Sequence, residues 1–144
     1  MKVVVQRVTS SSVKVEGKTV GSIDKGLLVL VGFTHDDNID KIKWMVNKIV
    51  NLRIFDDEEG VMNKSVSDIG GSVLSVSQFT LYADANKGNR PSYINAMKQE
   101  DASSYYDIFN EELRNKINTQ TGIFRADMQV ELINDGPITI VIEK

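Results

Sequence analysis

The sequence predicts one mixed α/β domain in which short strands outnumber helices. The chain has 144 residues, with 41% hydrophobic and 26% charged residues, which is typical of one globular domain. About eight segments have the apolar, β-branched composition of strands, and only two show helical periodicity. We therefore expect residues 1–144 to form a largely antiparallel, barrel-like sheet system with two main helices.

The first strands follow closely on one another. Lys2–Val8 is predicted to be a buried strand, and Ser12–Val15 and Thr19–Ile23 are shorter strands. Glu16-Gly17-Lys18 joins the shorter pair as a hairpin, because glycine accepts positive φ. Leu27–Phe33 is almost wholly apolar, which predicts a central strand covered on both faces.

Two segments have the periodicity of amphipathic helices. The first begins at Ile39 after a capping loop, and its apolar stripe comprises Ile42, Met45, Val46, Ile49 and Val50. The second opens with Glu100 and Asp101, since acidic groups favour a helix N-terminus. Its predicted buried stripe comprises Tyr105, Ile108, Phe109, Leu113 and Ile117.

The remaining strands are short or interrupted. Leu52–Phe55 is predicted to be a strand, and the acidic run Asp56–Gly60 after it has no metal-loop spacing and is expected to be a solvated turn. Gln129–Ile133 and Ile138–Ile142 are the closing strands, with Asn134–Pro137 as the turn between them.

A polar run interrupts one apolar strand. Ser75–Asp84 is predicted to be extended, and strand alternation would put Gln78 and Thr80 on one face with Val76 and Tyr82. Buried polar groups need hydrogen-bond partners. The strand therefore either satisfies these side chains internally or offers them to a ligand.

The composition excludes most nucleophilic and metal-centred sites. There is no cysteine and only one histidine, His35, so neither a thiolate nor a multi-histidine zinc site can be built from one chain. His35 is expected to be a solvated loop residue. Thr80 could act as a nucleophile, but no histidine or lysine near it in sequence could activate its hydroxyl.

Charge and hydropathy limit the partners. A net charge of −3 argues against broad binding of a nucleic-acid backbone, including DNA, but allows a narrow contact with one nucleic-acid end. Lys87 and Arg90 form the most suggestive basic pair, in a loop. No apolar run approaches the roughly 20 residues of a membrane span, and no signal-peptide pattern is present. We expect a cytoplasmic protein.

Two stretches carry a family resemblance. Ser77–Asp84 and Asn134–Thr139 resemble the two signature motifs of the D-aminoacyl-tRNA deacylases. Further matching stretches occur in the expected order: Val5–Val8, Gly26–Gly32, Ile49–Phe55, Lys87-Gly88, Arg90–Ser92, Thr121-Gly122, Phe124 and Ala126–Met128. The resemblance spans nearly the whole chain, and the set is highly specific.

The resemblance implies a homodimeric hydrolase without cofactor or metal. It would cleave the ester that joins a D-amino acid, or mischarged glycine, to the terminal ribose of tRNA, a proofreading step in translation. In the family a cis Gly-Pro peptide, here Gly136-Pro137, reaches into the partner's pocket and collides with L-side chains. Specificity made by excluding the wrong ligand is physically reasonable. Arg7 would hold this loop.

The resemblance also implies roles for the other site residues. Ser77, Gln78, Phe79 and Thr80 would form a catalytic wall that acts mainly through its backbone and by orienting the ester. The ester is already activated and the vicinal ribose hydroxyl can assist, so backbone N–H groups near Phe79 and Thr80 could suffice to stabilise the oxyanion. Thr80 as nucleophile ranks second. Phe124 and Met128 would bind substrate, and Lys87 and Arg90 could contact tRNA.

Two residues depart from the family pattern, and two other functions stay open. Arg125 stands where glycine is usual, which could alter access to the pocket or contact tRNA, and Asn89 replaces a commonly basic residue. The absence of an evident base leaves a non-catalytic module that binds tRNA ends or amino acids. A threonine-dependent esterase acting on other acyl compounds is the remaining alternative.

Overall fold

The computed structural model describes Met1–Lys144 and confirms the mixed α/β fold, with two helices and a barrel-like sheet. The elements in chain order are β1 Lys2–Val15, β2 Lys18–Ile23, β3 Gly26–Gly32, α1 Ile39–Val50, β4 Phe55–Asp56, β5 Met62–Lys64, β6 Ser72–Ser77, a 3-10 helix Phe79–Tyr82, α2 Gln99–Arg114, β7 Thr119–Thr121 and β8 Met128–Glu143.

The main sheet has six strands and is built around β1. Its order is β2-β1-β3-β6-β7, and β8 pairs with β1 on the side away from β3. The pairs made by β1 are antiparallel, whereas β3, β6 and β7 are parallel to one another. The first half of β1 pairs with β3 and the second half with β2, so one strand links both parts of the sheet.

The two predicted strands Lys2–Val8 and Ser12–Val15 are one strand. β8 runs beside nearly the whole of β1, and Ser10 and Ser11 pair with Ile133 and Leu132. Because these backbone groups pair with β8, the serine-rich interval between the two predicted strands stays extended.

The closing segment is also continuous. Gln6 pairs with Thr139 and Val8 with Asn134, so the four residues 135–138 of β8 stand opposite Arg7 alone. The predicted turn at Asn134–Pro137 is therefore wrong: the segment is an enlarged bulge within β8. Likewise, the predicted strand Leu52–Phe55 reduces to Phe55–Asp56, which pairs with β5 after the acidic turn.

Two cores lie on opposite faces of the sheet. On β3, Leu27, Val29 and Val31 face the core under the helices, whereas Leu28 faces a smaller core with Val8, Val13, Ile23, Leu74 and Val76. This alternation confirms that β3 is a central strand covered on both faces.

Both predicted helices are present. The stripe of α1 is fully confirmed, because Ile42, Met45, Val46, Ile49 and Val50 are the buried residues. The stripe of α2 is confirmed at Phe109 and Leu113, whereas Tyr105, Ile108 and Ile117 are only partly buried. The tyrosine that points inward is Tyr106. Neither helix is long and apolar enough to cross a membrane.

Candidate active site

The polar run leaves the strand conformation at Gln78. The N–H of Gln78 donates to the carbonyl of Val31 at 2.7 Å, and β3 ends at Gly32, the residue after Val31. With no further partner strand, the chain turns, and the Leu81 N–H donates to the Gln78 carbonyl at 3.2 Å. The prediction that Gln78 and Thr80 share a strand face with Tyr82 is therefore wrong, because Phe79–Tyr82 is a 3-10 helix.

Gly32 allows this turn to pack tightly against β3. A Cβ at Gly32 would lie 2.9 Å from the Gln78 carbonyl oxygen and 3.2 Å from the Leu81 Cβ. Neither neighbour is the far end of a flexible side chain. A larger residue at position 32 would therefore displace the 3-10 helix from the sheet.

A pocket of about 430 Å³ opens beside this turn. It lies between the ends of β3 and β6, the start of α2 and the segment that enters β8. Its lining residues are Val31, Gly32, Phe33, Val76, Ser77, Gln78, Phe79, Met97, Gln99, Ala102, Phe124, Arg125, Ala126, Met128 and Val130. Most are apolar, as in pockets for small ligands.

The lining has no acid–base side chain suited to proton transfer. Arg125 is its only charged residue, and it contains no histidine, carboxylate or lysine. Among the predicted catalytic residues, Ser77, Gln78 and Phe79 line the pocket and Thr80 does not. The Thr80 hydroxyl is exposed and accepts a hydrogen bond from the Gln78 side-chain amide.

Backbone donors at the start of the 3-10 helix have no acceptor within it. Phe79 and Thr80 are its first two residues, and no side chain caps this end. The N–H groups of the first residues of a helix have no intrahelical acceptor. These two backbone N–H groups, of one lining residue and of the residue next to it, could bind a developing oxyanion.

Tyr106 connects two walls of the pocket, and the sequence analysis missed it. Its hydroxyl donates to the Ser75 carbonyl at 2.8 Å, and its ring lies against Phe124 with centroids 5.9 Å apart. Burial raises the pKa of Tyr106, so its hydroxyl stays protonated and remains a donor. The spacing Ala102, Tyr106, Phe109, Leu113 was the available signal, because it fits a helical stripe better than Tyr105 does.

Arg7 fixes the segment that precedes Gly136. This buried guanidinium donates to the carbonyls of Ile54 at 2.9 Å and Asp135 at 3.3 Å, and it lies 3.2 Å from the Asp135 carboxylate. Gly136 and Pro137 follow, joined by a cis peptide bond. Both are exposed, and neither lines the pocket of its own chain.

The other candidate residues lie apart from the pocket lining. Lys87 and Arg90 are exposed in a loop outside it. His35 is also exposed, as predicted, and one ring nitrogen lies 2.8 Å from the Ile94 carbonyl. Phe124 and Met128 do line the pocket, together with Ser77 and Gln78.

Comparison with known proteins identifies the family. A family model described as D-Tyr-tRNA(Tyr) deacylase matches residues 4–143. The chain belongs to this family. As a member of this family, the protein is a hydrolase that acts on the ester bonds of aminoacyl-tRNA.

Two solved structures resemble this deacylase over their full lengths. One, titled "c-Myc DNA Unwinding Element Binding Protein", is 44% identical, with a TM-score of 0.95 and coverage of 100% of this chain and 99% of that one. The other, titled as a probable eukaryotic D-amino acid tRNA deacylase, is 17% identical, with a TM-score of 0.84 and coverage of 98% and 97%. The second match supports the fold alone.

Proposed function

We propose that this deacylase removes D-amino acids and glycine from tRNA and rejects L-amino acids. The observation that carries the proposal is the pocket beside Gln78 and Phe79, which offers backbone donors and no acid–base side chain. Such a pocket suits a substrate that brings its own reactivity. An aminoacyl ester is activated, and its ribose carries a neighbouring hydroxyl.

The proposed chemistry relies on position and backbone donors. The apolar lining holds the ester, and the N–H groups of Phe79 and Thr80 stabilise the oxyanion that forms on the ester carbonyl. Water attacks the ester carbonyl, and the vicinal ribose hydroxyl assists the departure of the ribose oxygen. That oxygen takes up the proton that the water loses, so the products are the free amino acid and tRNA. The Thr80 hydroxyl has no direct role, since it accepts a hydrogen bond from the Gln78 side chain and Thr80 lies outside the pocket lining.

Chiral selection is proposed to come from a second subunit. Gly136 and Pro137 are exposed and absent from the pocket of their own chain, so they are free to enter the pocket of a partner. There, their main-chain carbonyls would face the substrate's amino group and Cα. An L-side chain would collide with this backbone, whereas a D-side chain would point to solvent and glycine would escape rejection.

A homodimer is supported by the free edge of the sheet. β8 pairs with β1 on one side only. It also exposes apolar side chains, including Ile133 at 61% and Val141 at 62% of their surface. Long edge strands with exposed apolar side chains readily pair with another chain. A second copy would cover this edge.

One assay separates the proposed function from its alternatives. Purified protein is incubated with D-tyrosyl-tRNA, L-tyrosyl-tRNA and glycyl-tRNA, and the remaining ester is measured over time. We expect rapid loss of the D-tyrosyl and glycyl esters and persistence of the L-tyrosyl ester. Persistence of all three would support a non-catalytic binding module, and equal loss of D- and L-esters would contradict chiral selection.

The role of Thr80 is tested by a separate variant. We expect Thr80→Ala to retain most single-turnover activity on D-tyrosyl-tRNA, because the proposed mechanism uses the backbone at this position. Loss of nearly all activity, together with Thr80-dependent cleavage of simple acyl esters, would favour a threonine-dependent esterase.

DNA binding is a separate question raised by the relative titled a DNA unwinding element binding protein. We expect weak binding of duplex DNA by this chain, because a net charge of −3 disfavours extended phosphate contact. Fluorescence anisotropy with duplex DNA and tRNA in the same salt would compare the two. Tighter binding of the duplex would contradict this expectation.

A further inference from the structure

The pocket continues into a groove at the start of α2. The groove is lined by Lys98, Gln99, Glu100, Ser103, Phe124 and Arg125. Three of these residues, Gln99, Phe124 and Arg125, also line the pocket. A ligand too long for the pocket therefore has a continuous surface along which it can leave.

Arg125 stands at the junction of pocket and groove. Its φ is +64°, a left-handed conformation that residues with a Cβ rarely adopt. It occupies a tight turn in which the Ala126 N–H donates to the Ile123 carbonyl at 3.2 Å. Phe124, Arg125 and Ala126 all line the pocket, and Arg125 also lines the groove, which places Arg125 at the mouth of the pocket.

The two cations of the groove have no protein partner. Arg125 and Lys98 are exposed, and neither takes part in any salt bridge or side-chain hydrogen bond of the structure. Glu100 also lines the groove, but it pairs with neither of them. The groove thus has two free positive charges against one negative charge, in a protein whose net charge is negative.

We propose that Arg125 and Lys98 bind the phosphodiester on the 5′ side of the terminal adenosine of tRNA. The inference rests on the proposed function, which places the aminoacyl ester in the pocket. The terminal nucleoside is attached to the rest of the tRNA through this phosphate. The phosphate therefore lies where the tRNA strand leaves the pocket. A guanidinium matches phosphate oxygens in geometry and charge.

The proposal makes Arg125 a determinant of substrate class. An ester on a full tRNA would gain this contact, whereas an ester on adenosine alone has no phosphate to offer. The opposing possibility is that Arg125 only narrows the entrance. In that case it would act equally on both substrates.

The test measures kcat/KM on D-tyrosyl-tRNA and on D-tyrosyl-adenosine for Arg125→Gln and for Lys98→Gln. Each variant should lose more on the tRNA ester than on the adenosine ester. We expect Arg125→Gln to lower kcat/KM on the tRNA ester about tenfold more than on the adenosine ester, because one charge-assisted contact is lost. The effect should fall on KM, and Arg125→Lys should restore part of it. Lys43→Gln, an exposed change on α1, is the matched charge control.

A salt series gives a second readout. The dependence of log KM on log salt should become shallower by about 0.7 in Arg125→Gln, as expected for one phosphate contact on a single strand. Arg125→Gly keeps the experiment interpretable if the glutamine variant folds poorly, since glycine tolerates this φ. Equal losses on both substrates, or no loss on either, would overturn the proposal.

Failure of the proposed function would be recognised separately. If the unmodified protein cleaves neither ester, the function fails, and binding of uncharged tRNA then tests the contact. Binding weakened by Arg125→Gln and unaffected by Lys43→Gln would still support the phosphate site. Equal binding by all three proteins would overturn it.

Discussion

Arg7 shows how one buried side chain can hold two distant segments in place. Its guanidinium bonds to the carbonyls of Ile54 and Asp135, which belong to different parts of the chain. Arg7→Met would leave both acceptors without this donor, at a cost of about 1–3 kcal/mol each. We expect a clearly lower Tm and loss of D-ester hydrolysis, measured by thermal unfolding and by the tRNA assay.

The control for Arg7→Met is a charge pair on the surface. Lys14 lies 2.9 Å from Glu131 in an exposed pair. Lys14→Met should change the free energy of unfolding by no more than about 1 kcal/mol, because exposed pairs contribute little. Equal effects of the two substitutions would contradict the anchoring role of Arg7.

Gly136 combines two features that only glycine satisfies. Its φ is +122°, and a Cβ there would lie 2.8 Å from the Cγ1 of Ile138. Gly136→Ala should therefore displace the loop and reduce both activity and the preference for D- over L-esters. Rates on D- and L-tyrosyl-tRNA measure this, and unchanged discrimination would count against selection by the Gly136-Pro137 backbone.

Gly60 is the matched control for Gly136. It lies in the acidic turn with φ +76°, and a Cβ added there would meet no atom within 4 Å. Gly60→Ala carries backbone strain of about 1 kcal/mol without a clash. It should lower stability modestly and leave chiral discrimination intact.

Single residues were the scale at which the sequence was most informative about the site. Ser77, Gln78, Phe124 and Met128 were selected from motifs, and the structure brings them to one pocket. The exposure of Thr80 could not be foreseen, because it follows from a change of conformation after Ser77. For the buried tyrosine of α2, the spacing of Ala102, Phe109 and Leu113 already favoured Tyr106 over Tyr105.

At the scale of elements, Tyr106 links α2 to both walls of the pocket. Tyr106→Phe removes the donor to the Ser75 carbonyl, which still accepts from the Gly122 N–H at 2.9 Å. We expect a loss of about 1 kcal/mol in the free energy of unfolding. The looser wall should raise KM for D-tyrosyl-tRNA several-fold with a smaller change in kcat.

Tyr105→Phe is the corresponding control on the same helix. The Tyr105 hydroxyl donates to the Asp37 carbonyl at 3.2 Å, away from the pocket lining. Urea unfolding should show a similar small loss of stability, whereas KM should not change. A KM effect of equal size in both variants would show that Tyr106 has no particular positioning role.

Elements with strong periodicity were predictable, and those defined by partners were not. α1 and β3 follow from their apolar patterns alone. β6 ends at Ser77 because β3 ends at Gly32, and β1 stays extended through its serines because β8 lies alongside. These boundaries depend on strands that are distant in sequence, so no local pattern could predict them.

At the scale of the whole molecule, the exposed edge of β8 carries the proposed dimer. Ile133 and Val141 would face the second copy, so Ile133→Lys with Val141→Lys should yield monomers. If Gly136 and Pro137 complete the partner's pocket, the monomers should also lose D-ester hydrolysis. Sedimentation velocity and the tRNA assay measure the two effects together.

Val61 provides the control for these lysine substitutions. It is 50% exposed in the turn before β5, outside β8. Val61→Lys should preserve both assembly and activity. A fully active monomer of the double variant would contradict a pocket shared between subunits.

The overall architecture was predictable because it depends on the order of patterns along the chain. Two helical stripes among many short strands indicated a largely antiparallel, barrel-like sheet system with two main helices. The parallel arrangement of β3, β6 and β7 was not predicted, since parallel pairing is decided by how α1 and α2 cross the sheet.

The bulge of β8 has a consequence for how the gene can vary. After it, Ile138, Ile140 and Ile142 alternate inward against the core, while Thr139 and Val141 face outward. A residue deleted or inserted between Asn134 and Ile138 must be absorbed within the bulge, because a shift of the strand after it by one residue would turn the three isoleucines to solvent. The core therefore fixes the register of β8 after the Gly-Pro segment, so any change in the length of that segment falls on the bulge alone.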